Sequence, residues 1–297
     1  MVNYCYNSNG DIIMDGSKTI GILIIVALIL SIAIVGVNSY ILNYNEDNGN
    51  PSSIVLNEKS LDQEAWVNGT NVTEEVLSED EAFNNTTMTD KPTVNLNIRQ
   101  KVGGVNVAFT DSDNIYNITS SNYNNSSTTV NYVQNGKTVD VNMSSNSAGN
   151  VIMLSNKYNY NIKVEILCGG FTGNFTENSR TNNLDVDITL GGVNLNYNGG
   201  KVDNTTVHVT VGGVNVYGSP SGYTKLNSEI KIGGMNVKTT TPDTYVRSNI
   251  ELGGAEAPNY QYEKNQRYDL YKASNYDVSE NKLDITSNVQ IGGINLA

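Results

Sequence analysis

A glycine pair followed by an apolar residue, usually an asparagine, and a second apolar residue recurs along this chain of 297 residues. It reads GGVNV at Gly103, GGVNL at Gly191, GGVNV at Gly212, GGMNV at Gly233 and GGINL at Gly292, with degenerate copies CGGFTG at Gly169 and LGGAEA at Gly253. From Gly169 to Gly253 the pairs are 22, 21, 21 and 20 residues apart, and the outer gaps of 66 and 39 residues are close to three and two of the same unit. A fixed period of this length marks a repeat architecture in which each unit is one structural turn, unable to bury its apolar face alone.

Strict alternation precedes each pair. Val186, Ile188 and Leu190 alternate with Asp187 and Thr189, and Val207, Val209 and Val211 with His208 and Thr210. Period-2 patterning rich in β-branched residues predicts strands with one buried face. Beyond the glycines the alternation resumes one position out of phase, at Val193, Leu195 and Tyr197. A one-residue slip throws a strand's apolar set to the wrong face, so the glycines are expected to absorb it in a bulge or corner. Positions −5, −3, −1, +2 and +4 from the first glycine are predicted to point inward. The expected fold is all-β: a single-chain β-solenoid, a β-helix with right-handed winding, of about ten turns and roughly 48 Å over residues 93–297. The glycines lack the strand–GxGxxG–helix setting of a nucleotide site, and the calcium-binding nonapeptide is absent.

Net charge is −12, yet residues 43–90 hold eleven acidic side chains against Lys59 alone, so the repeat region is nearly neutral. That distribution argues against nucleic acid as a partner. Thr19 to Val37 is a run of 19 residues without a charged side chain, long enough as a helix to cross a bilayer. Lys18 before it and Glu46 and Asp47 after it favour a cytoplasmic N-terminus. The expected organisation is a short cytoplasmic segment at 1–18, a transmembrane helix at 19–42, an acidic extended spacer at 43–92 and the solenoid at 93–297. The protein is then a single-pass cell-membrane protein, partnered with the lipid bilayer through that helix, with its C-terminal domain outside. Cys5 and Cys168 fall on opposite sides of the membrane in this scheme, and neither a redox nor a metal spacing of cysteines occurs.

Outward positions form lateral ladders. At offset −4 run Glu165, Asp187, His208 and Glu229, a polar row that could hold a metal or an acid–base pair but reads first as a solvated face of paired charges. At offset +3, Asn194, Asn215 and Asn236 are expected to form an amide ladder. Pro258 to Asp277 departs from the repeat and carries Tyr260, Tyr262, Tyr268 and Tyr271, a candidate binding loop for a cell-surface glycan or protein. No catalytic residue, cofactor site or metal site is assigned. The last unit, Val289 to Leu296, looks like an open end, which suggests an end-to-end homodimer unless Pro258–Asp277 covers it.

The recurring GG[VIM]N[VL] phrase at Gly191–Leu195, Gly212–Val216, Gly233–Val237 and Gly292–Leu296 resembles the adhesin domains of the head GIN and toast-rack type in bacteria and archaea, the latter found also at the C-terminus of LiaF-like membrane proteins. The resemblance covers residues 93–297. It implies a β-helix at a cell surface and brings no catalytic residues with it. The function expected is a membrane-anchored surface protein with a structural or adhesive role and no enzymatic activity. The alternatives are an envelope-sensing regulator and a polysaccharide-active β-helix enzyme.

Overall fold

The computed structural model describes Cys5–Tyr6, Ile12–Ile13, Ile54–Ser60 and residues 91–122, 126–239 and 243–297. The described residues are all-β and contain no helix. Three short strands come first: β1 (Cys5–Tyr6), β2 (Ile12–Ile13) and β3 (Ile54–Ser60). The repeat region then holds β4 (Thr93–Thr110), β5 (Asn114–Asn122), β6 (Thr128–Asn135), β7 (Thr138–Ser155), β8 (Asn159–Thr176), β9 (Arg180–Asn198), β10 (Lys201–Ser219), β11 (Tyr223–Lys238), β12 (Thr244–Glu256), β13 (Gln261–Lys264), β14 (Asp269–Lys272) and β15 (Lys282–Leu296). The apolar run proposed as a transmembrane helix lies outside the described residues. Within the 43–92 segment, β3 lies antiparallel on β5.

Eight strands, β4, β7, β8, β9, β10, β11, β12 and β15, stack in parallel, and seven of them align glycine on glycine. At about 4.8 Å per step the stack measures roughly 34 Å, shorter than the expected ten turns. The difference lies in the two stretches without glycine pairs. β5 and β6 fold back antiparallel on β7, and β13 and β14 form an antiparallel hairpin on β12. Neither stretch holds the additional turns expected there, apart from β7 itself.

Each long strand doubles back on itself. Thr176 ends β8, yet Thr181, five residues later, pairs with Tyr160 near the beginning of β8. The reversal occurs at the first glycine of each pair, where φ is +147° at Gly212. A Cβ there would sit 1.6 Å from the carbonyl oxygen of Gly191 on the neighbouring strand, so only glycine fits. β7 has no such pair. Its bend against β4 is held instead by buried amides: Gln100 Nε2 donates to the carbonyls of Val102 and Ala148 at 2.6 and 2.7 Å, and Asn150 Nδ2 donates to Gln100 Oε1 at 2.7 Å.

The core confirms the phase flip with one correction. Val186, Ile188, Val193, Leu195 and Tyr197 are fully buried, as are their counterparts in β10. Position −1, expected inside, lies outside: Val102, Leu190, Ile232 and Leu252 are 47%, 42%, 44% and 43% exposed. The alternation therefore breaks one residue earlier than the sequence pattern suggests. The bend begins at −1, and its side chain is turned onto the outer corner while both glycines of β9 are buried. Cys168, assigned to the interior by this offset, is half-buried on the same corner.

Aromatic rings at offset +6 are buried in the core. Phe109 lies 5.5 Å edge-on to Tyr160 and 5.9 Å from Phe175, which stacks on Tyr197 at 5.5 Å. Burial raises the phenol of Tyr116 to about 12, and that of Tyr158, helped by Asp113, also to about 12. It pushes Tyr160 and Tyr197 up as well. The unfolded chain releases these protons near pH 10 and the folded chain holds them to higher pH, so the unfolded state binds fewer protons over that interval. Stability is therefore expected to fall steeply from about pH 10 upward, by roughly 1.4 kcal/mol per pH unit for each such tyrosine. Denaturant melts at pH 9, 10 and 11 check this, and a flat midpoint across the series contradicts it.

The order of the stack is not the order of the chain. β4 lies between β7 and β8, and β15 lies between β11 and β12. The expectation that Val289–Leu296 forms an open end is thus overturned, because β15 is paired on both edges. A physical reason lies in the repeats themselves. β15 carries Leu283, Ile285, Val289, Ile294 and Leu296, full-sized residues suited to burial between neighbours. β12 ends in GGAE, with Ala255 and, just past its end, Ala257 where β9 has Val193 and Leu195, and it occupies the outside. At the opposite end β4, with its intact GGVNV, is again inside and β7, without the pair, outside. Small and charged residues at an edge discourage strand-to-strand association. Converting Ala255 to Val and Glu256 to Asn is therefore expected to make the full chain self-associate, read by analytical ultracentrifugation against the unaltered chain. An unchanged sedimentation profile contradicts the edge argument.

Candidate functional site

The outward face of the parallel stack is a grid of side chains, rows running across strands and columns along them. The −4 row reads Arg99, Glu165, Asp187, His208, Glu229, Asn288 and Asn249. In chain order Asn249 follows Glu229 in this row, and the inserted β15 separates them with Asn288. It likewise places Gln290 between Lys231 and Glu251. Glu165 is engaged by Lys163 Nζ at 2.8 Å and Arg99 Nε at 3.1 Å. The Lys163 hydrogen bond, opposed by desolvation and reinforced by both cationic charges, holds its carboxyl below the usual carboxylate value. His208 Nδ1 lies 3.4 Å from Glu229 Oε2, both side chains about half exposed. Asp187 neighbours His208 in register. The row is thus assembled as expected, but as exposed pairs worth little individually. Among the described residues no group of histidine, cysteine and carboxylate side chains is arranged to hold a metal ion.

Asparagines form the hydrogen-bonded ladders that the repeat suggests. Asn215 Nδ2 donates to Asn194 Oδ1 at 2.8 Å, and Asn295 Nδ2 to Asn236 Oδ1 at 3.0 Å. A second ladder links Asn161 to Asn95 and Asn183 to Asn161, each at 2.9 Å, and Asn204 to Asn183 at 3.4 Å. These positions stitch neighbouring strands on their outer face.

The tyrosines of Pro258–Asp277 divide. Tyr271 is buried, and Tyr260 is half-buried against the core. Tyr262 is 58% exposed, donates to Asp269 Oδ1 at 2.9 Å and lies 5.4 Å from the ring of Tyr271. Tyr268 is half-buried, its ring 5.3 Å from the guanidinium of Arg267. The insertion's hairpin docks along one half of β12, from Tyr245 to Ser248, and leaves the half from Asn249 to Glu256 without an outer partner strand among the described residues.

A denser constellation, absent from the sequence reading, lies beside it on the outward face of β11, β15 and β12. Asp284, its side chain 11% exposed, accepts from Tyr223 Oη at 2.8 Å and from Tyr276 Oη, with Arg247 Nη2 at 3.6 Å. Arg247 covers the ring of Tyr245 at 4.4 Å, and that ring lies 5.5 Å from Tyr276. Lys225 and Lys282 sit 5.7 and 5.1 Å from the rings of Tyr223 and Tyr276. Desolvation, then the Asp284 carboxylate, raises the phenols of Tyr223 and Tyr276. The signal missed was the contrast between intact GGINL and degenerate GGAEA. Reading it as inside against outside brings Asp284 between Lys225 and Tyr245.

No family model matches the chain, and no curated protein matches it. A solved structure described as a "putative cell adhesion protein" from Clostridium sporogenes is similar at 16% identity and a TM-score of 0.47, over 70% of this chain and 93% of that one. A likeness at this level carries no functional conclusion.

Proposed function

We propose that the chain is a membrane-anchored cell-surface protein whose residues 93–297 wind as a single-chain β-solenoid with a structural or adhesive role. The observation that carries this reading is the doubling back of β8, β9 and β10 at their glycine pairs, with only a few residues before the next strand resumes the same register. A chain that returns to its own starting edge after each repeat winds as a coil, and in-register coils with a continuous apolar interior make a stiff rod. The asparagine ladders along its outside reinforce that stiffness. The apolar run Thr19–Val37 supplies the anchor, and the polar residues between it and β3, with Glu46 and Asp47, tether the rod to the membrane. The solvent-exposed charge pairs of the −4 row, Arg99–Glu165 and His208–Glu229, favour no catalytic role.

Expression of the full chain with a C-terminal tag tests the arrangement. The protein is expected in the membrane fraction after alkaline carbonate washing, with the tag removed by protease added to intact cells. Release by carbonate contradicts the anchor, and a tag protected until the cells are broken contradicts the orientation. Adhesion is tested by attachment of cells that display the protein to surfaces or to other cells, compared with cells that lack it.

A further inference from the structure

A shallow hollow of about 240 Å³ opens on the outward face of the last three strands of the stack, lined by Glu229, Asn249, Glu251, Asn288, Val289 and Gln290. We infer that this hollow is a binding site for a neutral sugar unit of a polysaccharide or glycan, an inference that rests on the adhesive reading and names its ligand. Three amide side chains each offer both donor and acceptor atoms, and two carboxylates offer acceptors alone. Adjacent hydroxyls of a sugar ring, each donor and acceptor at once, match that lining. No cation lines the hollow itself, and its two carboxylates outnumber the one ammonium beside it, Lys231 next to Gln290, so an anionic sugar or a phosphate is disfavoured there. Glu229 and Glu251 stand on strands separated by β15, about 9.6 Å apart across the sheet, and belong to no group able to hold a metal ion among the described residues.

The surroundings extend the match. Arg247 and Tyr245 lie two and four residues before Asn249 on the same outward column of β12, some 7 and 13 Å away along the strand. Tyr223, 44% exposed, lies on the same face of β11. Aromatic rings stack on the apolar faces of pyranose rings, and the guanidinium adds donors beside them. A chain of sugars leaving the hollow along β12 therefore meets Arg247, held on the ring of Tyr245, and across the sheet the ring of Tyr223. The hollow is smaller than the roughly 300–1,000 Å³ of sites that enclose a drug-sized ligand, which suits one ring of a longer polymer held from one side.

The test uses the full chain in a non-glycosidic detergent, titrated calorimetrically with neutral hexasaccharides of β-glucan, α-mannan and β-galactan, with trigalacturonate and with hexalysine. Saturable binding of at least one neutral hexasaccharide is expected. Asn288→Ala, Gln290→Ala and Tyr245→Ala are each expected to weaken it about tenfold, the loss of a ligand hydrogen bond or a ring contact. Glu165→Ala, in the same outward row but outside the hollow, is expected to leave it unchanged. No neutral binding, preference for trigalacturonate or hexalysine, or indifference to Asn288→Ala, Gln290→Ala and Tyr245→Ala alike overturns the site. Cell attachment measured in parallel separates the two ideas. Attachment that survives in the hollow variants overturns the site and leaves the adhesive reading standing. Sugar binding without attachment of the unaltered protein leaves the site standing and overturns the adhesive reading.

Discussion

Valine in place of Gly212 is expected to abolish cooperative folding of the repeat region or to lower its melting temperature by about 10 °C or more. The position holds φ at +147°, and a Cβ would come within 1.6 Å of the Gly191 carbonyl oxygen, a main-chain atom that cannot rotate away. The strained dihedral and the overlap together cost at least roughly 3 kcal/mol, and for a domain of this size each kcal/mol moves the midpoint by about 2–4 °C. Two controls locate the cause. Asn215→Ala removes one rung of the amide ladder and is expected to cost about 1 kcal/mol. Gly254→Ala sits at the outer strand with nothing within 4 Å of the added Cβ and is expected to be nearly silent. Thermal melts by circular dichroism rank the three, and a Gly212 variant no worse than the Asn215 variant contradicts the role of the bend.

Removal of residues 282–297 is expected to be as damaging, although such a deletion trims only the end of the chain. In a repeat protein stacked in sequence order, losing the last unit exposes one new end and leaves the rest intact. Here the deletion takes out β15, which is paired along its length to β11 on one side and β12 on the other. β12 and its hairpin then have no neighbour to pack on, and β11 loses the partner of Leu226, Ile230 and Val237. Loss of the protease-resistant core from about residue 223 onward is expected, with aggregation of the exposed strands. A synthetic peptide of residues 282–296, added during refolding, is expected to restore part of the resistance by entering the vacated slot. A truncated chain that melts and resists protease like the intact one contradicts the inserted placement.

The sequence shows the period, the strands and the phase flip, because burial on one face of a strand writes itself directly into alternation at Val186–Leu195 or Val207–Val216. The order of stacking is harder to read. Nothing in β-alternation distinguishes a strand laid beside its predecessor from one laid beyond it. The clue was compositional, in the alanines and glutamate of Gly253–Ala257 and in the missing glycine pair of β7. Position −1 misled for a related reason: an apolar residue at a corner shields the bend from outside and satisfies the same pattern as a buried one. The candidate site follows suit. The −4 row through His208 and Glu229 was legible because those strands are consecutive in both chain and stack. The hollow and the Asp284 constellation were not, since both need β15 beside β11.

The interleaved order also sets how the parallel stack responds to load. Pulling on the C-terminal residue draws on β15, a strand gripped along both edges, so its hydrogen bonds resist together in shear. An outermost strand would instead peel away bond by bond. The first full repeat, β4, is gripped in the same way between β7 and β8. Each end of the repeat domain therefore behaves as a clamped splice, and tension arriving along either of these strands is spread over two ladders before any unit can come loose.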